Sequence, residues 1–142
     1  MLKKSNQKGF TIIEVLIVLA IAGLIMLIVF LAVPALQRNS RNTARNEEAA
    51  RISALVTECL ANRNGVVASC TAATIGFNAA DFQQITSVVV GTAGTTEVAN
   101  FAYSAKCNAD GSGTAVGTAR QFAVTYQLES AGSPVTRCIG SE

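Results

Sequence analysis

The chain has 142 residues, of which 50% are apolar and 14% are charged, and it contains no histidine and no tryptophan. Without histidine, general acid–base catalysis by an imidazole and histidine metal ligation are both excluded. The net charge is +2, but Lys3, Lys4 and Lys8 precede a long apolar run, and the rest of the chain carries eight basic and nine acidic side chains. A balance this close to neutral provides no overall attraction to nucleic acid.

The remaining reactive side chains do not suggest an enzyme. The carboxylates are scattered, and no serine or cysteine has an evident base near it in the sequence. A nucleophile needs such a base or a lowered pKa to react at neutral pH. We therefore expect a protein without catalytic activity, and without a cofactor or a bound metal. The length leaves room for one small domain in addition to the apolar run.

The apolar run extends from Phe10 to Leu36, and Glu14 is the one charged residue inside it. A helix rises 1.5 Å per residue, so this run is long enough to cross the roughly 30 Å hydrocarbon core of a bilayer. Residues 1–9 before it are polar and basic, which favours the cytoplasmic side for this end. Arg38, Arg41 and Arg45 on the other flank oppose this bias, so the charges alone leave the topology open. The sequence predicts a membrane-spanning helix over residues 10–36.

The junction of these two segments reads Lys-Gly-Phe-Thr-Ile-Ile-Glu at residues 8–14. It resembles the processing and assembly signal of type IV pilins and of the related pseudopilins of secretion systems. The resemblance implies that prepilin peptidase removes residues 1–9 as a leader, cutting between Gly9 and Phe10. Phe10 would then be N-methylated, and Glu14 would pair with the Phe10 amine of a neighbouring subunit during assembly.

Three other interpretations of this segment remain open. Ala20-Ile21-Ala22 imitates the cleavage site of a secretory signal peptide, although the apolar run continues well beyond it. A simple single-span anchor explains the length but not the spacing of Gly9, Phe10 and Glu14. Glu14 could also lie near the helix end and reach the headgroups, where a charge costs little.

Two residues weaken the predicted membrane helix. Gly23 lowers helix propensity, and Pro34 removes the N–H that would bond the carbonyl of Phe30. Such residues are often tolerated in membrane helices. The resemblance implies that the segment between Gly23 and Pro34 bends or melts in an assembled filament.

The helical pattern continues past the membrane segment but becomes amphipathic over residues 37–63. Its apolar face comprises Ile52, Leu55, Val56, Cys59 and Leu60, at steps of three and four. Asn64-Gly65 supplies a stop signal. The arginines at positions 38, 41 and 45 form a basic ridge, which predicts either a solvated or lipid-facing surface or salt bridges to stacked subunits.

The remainder, residues 64–142, begins with a loop and then alternates like a β-sheet. The predicted strands are Phe82–Val90, Val98–Lys106, Gln121–Glu129 and a possible fourth, Val135–Ile139. Residues 91–94 are a predicted turn and residues 108–117 a flexible loop. An antiparallel sheet of three or four strands would cover the amphipathic helix, so the expected fold class is α+β, with residues 37–142 as a globular headgroup.

The four cysteines all follow the membrane segment, with spacings that do not suit a zinc site. An even number in an exported domain predicts two disulfides, and we favour Cys59–Cys70 with Cys107–Cys138 among the three possible pairings, because each closes a modest loop. Asn108, Asp110, Ser112 and Gly113 echo the start of a calcium loop, but Ala119 stands where a bidentate glutamate would be needed. A glycine-rich hairpin turn is the simpler interpretation.

The resemblance implies a structural function. The subunit would wait in the cytoplasmic membrane as a single-pass precursor and then polymerise into a helical surface filament for adhesion, twitching motility or DNA uptake. Expected partners are further copies of the chain, prepilin peptidase, an assembly ATPase, a membrane platform protein and minor pilins. A type II secretion pseudopilin and a monomeric membrane-anchored binding domain are the alternatives.

Overall fold

A computed structural model describes residues 9–91 and 94–141. Residues 1–8 of the expected leader, and Thr92 and Ala93 of the expected turn, lie outside the described residues. The chain divides into two compact units, Met1–Gln37 and Arg38–Glu142. One helix, α1 (Ile12–Asn62), supplies residues to both units.

In the first unit, helix α1 begins at Ile12, and every described residue from Gly9 to Gln37 is exposed. Within the described residues, this helix is the one that is long and apolar enough to span a membrane, judged by length and composition. Gly23 and Pro34 both lie within the continuous helix. The expected bending between them concerns the assembled filament and stays a prediction.

The second unit is an α+β domain, as predicted. The core-facing residues of its helical part are Ala49, Ile52, Val56 and Cys59, with Leu55 and Leu60 packed beside them. The helix ends at Asn62, and the chain then turns through Asn64 and Gly65, both at positive φ. Gly65 donates its N–H to the carbonyl of Leu60, which satisfies one of the free carbonyls at the helix end.

Two 3-10 turns, Val67–Ser69 and Ala79–Asp81, precede the strands. A four-stranded sheet in the order β1-β2-β5-β6 packs against the helix. Its strands are β1 (Ser87–Val90), β2 (Val98–Tyr103), β5 (Phe122–Leu128) and β6 (Val135–Gly140). Phe101, Phe122, Val124 and Tyr126 face the helix and belong to the core, on the alternation that the sequence predicted.

The sheet is mixed, and the expectation of a wholly antiparallel sheet was wrong for one pair. Strands β1 and β2 are parallel, with Ser87 opposite Val98, while β2–β5 and β5–β6 are antiparallel. The connection after Gly91 is therefore a short crossover and not a hairpin turn. It passes so close to β5 that a side chain at Gly94 would lie 2.5 Å from the carbonyl oxygen of Thr125.

The predicted strand over residues 98–106 is divided in two at Ser104, which has φ 48°. This conformation is uncommon for residues other than glycine and redirects the chain out of the main sheet. The following strand, β3 (Ala105–Cys107), forms a separate antiparallel hairpin with β4 (Thr114–Val116). The expected flexible loop over residues 108–117 is therefore partly a strand.

Two disulfides link elements of the second unit. Cys59 of the helix joins Cys70 after the first 3-10 turn, with 6.0 Å between their Cα atoms, and Cys107 of β3 joins Cys138 of β6, with 5.5 Å. These are the pairs that the spacing favoured. The second bridge fastens the small hairpin to the edge strand of the main sheet, and a bridge of this kind typically contributes about 2–4 kcal/mol.

Candidate assembly site

The candidate site begins at the first turn of helix α1. Gly9 and Phe10 precede the helix, and Phe10 is 83% exposed. Thr11 occupies the position before the first helical residue, and its hydroxyl oxygen accepts a hydrogen bond from the Glu14 N–H at 3.4 Å. Threonine followed three residues later by glutamate is the sequence pattern of a capping box. The local sequence thus starts the helix immediately after the expected cleavage position.

Thr11 also orients the Glu14 side chain. Its hydroxyl donates to Oε2 of Glu14 at 3.5 Å, so the carboxylate lies over the first turn of the helix. A carboxylate there interacts favourably with the partial positive charge of the helix N-terminus. Val15, Val18 and Leu19 line a shallow apolar groove beside it, together with Phe10. The only charge of the apolar run is therefore placed one turn from the residue that would become the new N-terminus.

The side chains that follow Glu14 expose an apolar surface on all sides of the helix. Large residues from Val15 to Leu36 are between 39% and 77% exposed, with Phe30 at the upper limit. Soluble monomers rarely present an apolar patch of this size, so such a surface marks a membrane or protein contact. In lipid, a helix is also the one local structure that satisfies every backbone group by itself.

A second polar cluster lies in the headgroup, where Glu129 follows β5. The Nε–H of Arg41 donates a bifurcated hydrogen bond to both oxygens of the Glu129 carboxylate, at 2.9 and 3.1 Å, and Nη2 of Arg41 donates to Oε2 at 2.6 Å. Nη2 of Arg45 donates to the other side of the same carboxylate at 2.7 Å, and Nε of Arg45 donates to the Thr96 carbonyl at 2.8 Å. The Arg45 side chain is 5% exposed.

Asn42 completes this cluster through the backbone of Glu129. Its amide nitrogen donates to the Glu129 carbonyl, and its amide oxygen accepts from the Glu129 N–H, both at 2.8 Å. One amide side chain thus caps the end of β5 as a neighbouring strand would. We name the group formed by Arg41, Asn42, Arg45, Thr96 and Glu129 the clasp.

The clasp gives two of the three arginines of the basic ridge a partner within their own chain. Arg41 and Arg45 both bind the Glu129 carboxylate, and the expected lipid-facing surface and the salt bridges to stacked subunits stay predictions. Glu129 had no role in the sequence prediction, because it is 84 residues from Arg45 and nothing local marks it. The available signal for this pairing was a carboxylate at the end of a predicted strand together with a ridge of arginines on the helix that had no assigned partner.

Hydrogen bonds from Arg41 and then Arg45 lower the pKa of the Glu129 carboxyl to about 2, from an ordinary 4.5. Because the folded state favours the ionised form, Glu129 stabilises the fold fully above pH of about 4.5 and progressively less as the pH falls towards about 2. We expect the difference in unfolding free energy between the wild type and Glu129→Gln to be constant near neutral pH and to shrink below about pH 4.5. Chemical denaturation of the full chain in detergent, at a series of pH values, measures this difference.

The matched control for the pH series is Glu58→Gln, which changes an exposed glutamate of helix α1 that is not part of the clasp. Its stability should stay parallel to that of the wild type over the whole range. The two arginines that face Glu129 remain charged throughout. A wild type and a Glu129→Gln variant whose stabilities change in parallel down to pH 2 would contradict the assignment.

The buried carboxylate of Glu48 was also missed by the sequence prediction. Its two oxygens accept the backbone N–H groups of Gln83, Gln84 and Ile85 at distances of 2.7 to 3.1 Å. Three successive N–H groups form a concave anion site, which here is filled by a side chain of the same protein. The contact ties the segment before β1 to the helix.

The loop at residues 108–113 is the turn of the small hairpin. The Asp110 carboxylate accepts the Ser112 N–H at 2.9 Å and the Ser112 hydroxyl at 2.7 Å, and these bonds lower the pKa of Asp110. The backbone also closes the turn, since Asn108 N–H donates to the Gly113 carbonyl. Among the described residues, no group of three or more histidine, cysteine, aspartate or glutamate side chains is placed to hold a metal ion.

Comparison with protein families matched residues 4–30 to the prokaryotic N-terminal methylation motif. No curated protein and no solved structure matched the chain. The match contains the expected cleavage position, Gly9 and Phe10, and the acidic residue Glu14, and it extends through most of the exposed apolar run. The chain therefore carries the prepilin signal of the type IV pilin and pseudopilin superfamily.

Proposed function

We propose that the chain is the structural subunit of a type IV pilus, cut between Gly9 and Phe10 and polymerised through helix α1 into a surface filament. The observation that carries this proposal is the exposed apolar surface from Val15 to Leu36, most of which lies within the matched methylation motif. The membrane would shield these apolar side chains from water in the precursor, and the helices of neighbouring copies would shield them in the filament core.

The headgroup supports a function outside the cytoplasm, which a pilus and a secretion pseudopilus share. Two disulfides constrain a second unit of only 105 residues. Disulfides persist in oxidising surroundings and are typical of small exported domains, which have to stay folded without help from the cytoplasm.

Leaving the membrane for the filament exchanges one apolar environment for another, so burial provides little net driving force. We therefore infer that an assembly ATPase and a membrane platform protein supply the work, and that minor pilins complete the filament. Prepilin peptidase cuts this chain, and Phe10 is then N-methylated, so the chain is the substrate of both reactions. Adhesion, twitching motility and DNA uptake are the functions open to such a filament.

The first test is maturation. Changing Gly9 to valine should stop cleavage, because a branched side chain next to the scissile bond obstructs a peptidase site that accepts glycine. The unprocessed chain, still carrying residues 1–9, should accumulate in the membrane, and filaments should be absent. Intact-mass spectrometry and N-terminal sequencing of the membrane fraction measure the outcome. Gly23→Val is the matched control, since a Cβ added at either glycine would meet no other part of the chain within 4 Å.

The second measurement is mass spectrometry of sheared surface filaments from the wild type. Recovery of this chain as an abundant component beginning at methylated Phe10 would support the proposal. A mature protein that begins at Met1 or Gly23 would contradict it. Recovery only from the cell envelope, together with a defect in enzyme secretion on deletion, would establish a pseudopilin instead.

A further inference from the structure

Within the headgroup, the helical residues of α1 are held to the loops and strands by two different kinds of contact. From Ala49 to Leu60 it contributes to the apolar core, and Cys59 anchors it covalently to Cys70. From Arg38 to Asn46, by contrast, its only fully buried side chain is that of Arg45. We name residues 38–46 the proximal section, because they directly follow the apolar run.

No residue of the proximal section belongs to the apolar core, and hydrogen bonds join it to the sheet side of the domain. Arg41, Asn42 and Arg45 bind Glu129 and the Thr96 carbonyl in the clasp, and Asn46 accepts a hydrogen bond from the Tyr126 hydroxyl at 2.8 Å. Arg41 and Arg45 both bind the carboxylate of Glu129. Loss of the Glu129 charge would therefore release several contacts together, and Arg45 would keep only its bonds to Thr96 and Asn42.

The proximal section has little helical preference of its own. Its nine residues include Asn39, Ser40, Asn42, Thr43 and Asn46, all of which are poor helix formers because their side chains compete for backbone hydrogen bonds. A helix segment of this composition depends on tertiary contacts to stay folded. Here those contacts are the clasp and the bond from Tyr126.

We propose that the clasp is a release point, which lets residues 38–46 detach and unwind while the disulfide-linked core of the headgroup stays folded. The functional part rests on the proposed role as a filament subunit, in which tension passes along α1 from the packed apolar helices to the headgroups. Unwinding nine residues from 1.5 Å to about 3.4 Å per residue lengthens the connection by roughly 15–20 Å. The helix from Ala49 onwards should stay folded, because apolar burial and the Cys59–Cys70 disulfide stabilise it.

Amide hydrogen exchange of the full mature chain in detergent, followed by mass spectrometry of its peptides, tests the release directly. Glu129→Gln keeps the size of the side chain and the backbone pair with Asn42 but removes the charge. We expect exchange of residues 38–46 to become at least tenfold faster, while peptides covering residues 49–60 keep their wild-type rates. Glu58→Gln, at an exposed helix position outside the clasp, should change neither segment.

Two results would overturn the release point. Equal acceleration in both segments would show that the clasp and the core open as one unit, and unchanged exchange at residues 38–46 would show that the clasp does not limit opening. Tyr126→Phe, which removes only the bond to Asn46, should give a smaller acceleration confined to the same section. Because this measurement uses detergent-solubilised subunits, it is independent of whether filaments form, and absence of filaments would count against the proposed function alone.

The filament itself provides the mechanical test. Pulling single wild-type filaments should show a lengthening step, and Glu129→Gln filaments should take that step at lower force with the same extension per subunit. If wild-type and Glu129→Gln filaments lengthen at the same force, the clasp does not control the release of residues 38–46 under tension.

Discussion

Changing Glu14 to alanine is expected to abolish filament assembly without preventing folding, cleavage or membrane insertion. Glu14 carries the only charge between Phe10 and Gln37, and its carboxylate lies over the first helical turn, held by Thr11. In an assembled array, the free amine of a neighbouring Phe10 is the group that this carboxylate can neutralise. Without it, that amine would be left unpaired in an apolar core.

The expected effect is large because a buried charge without its partner typically costs about 3–5 kcal/mol, a factor of hundreds or more for each added subunit. The same change removes a charge from the membrane helix and should ease insertion of the monomer. Glu14→Ala protein should therefore accumulate in the membrane with Phe10 as its N-terminus, while electron microscopy and filament shearing detect few or no filaments.

Two further variants distinguish the pairing of Glu14 with a neighbouring Phe10 amine from its contact with Thr11 at the first turn of the helix. Glu14→Gln keeps a hydrogen-bond acceptor near Thr11 but not the charge, so it should assemble as poorly as Glu14→Ala. Thr11→Ala removes the hydroxyl contacts but keeps the charge, and should retain assembly. Normal piliation by Glu14→Ala as the sole subunit would exclude the pairing mechanism, and loss of the monomer would assign Glu14 to folding.

Changing Glu48 to alanine is expected to destabilise the headgroup by about 3–5 kcal/mol. The Glu48 side chain is buried, and it is the acceptor for three successive backbone N–H groups before β1. The bond to the Ile85 N–H is buried, and the bonds to Gln83 and Gln84 are partly buried. A buried donor that is left without an acceptor costs roughly 1–3 kcal/mol, and bonds to a charged group are at the upper end of the range. The protein offers no second acceptor at this point among the described contacts.

The neighbouring residue supplies the control for this measurement. Glu47 is exposed, so Glu47→Ala should change the free energy of unfolding by no more than about 0.5 kcal/mol. Thermal and chemical denaturation of the full chain in detergent, followed by circular dichroism, compares the two variants. Equal stabilities of Glu47→Ala and Glu48→Ala would show that the three N–H groups find other partners.

The sequence by itself determined the parts of this protein that depend on neighbouring residues. The membrane-length helix follows from an uninterrupted apolar run, and the prepilin signal from the spacing of Gly9, Phe10 and Glu14. The core face of the helix, including Ile52 and Val56, and the inward residues of β5 follow from periodicity, because a helix and a strand repeat their faces at fixed intervals. The end of the helix at Asn62 is also local, since Gly65 accepts the backbone conformation that a helix stop requires.

Only the tertiary structure decided which distant residues meet. The parallel pairing of β1 with β2 depends on a crossover that passes over β5 at Gly94, and the division of the predicted second strand depends on one unusual φ at Ser104. Glu129 reaches Arg41 across 88 positions of sequence, and Glu48 reaches the backbone before β1 across 35 to 37. A charged side chain carries no periodic signal that identifies its partner, because its pairing depends on where the packed core brings the backbone. For that reason the sequence placed the arginine ridge correctly on the helix, and the fold alone showed that two of its members hold the headgroup together.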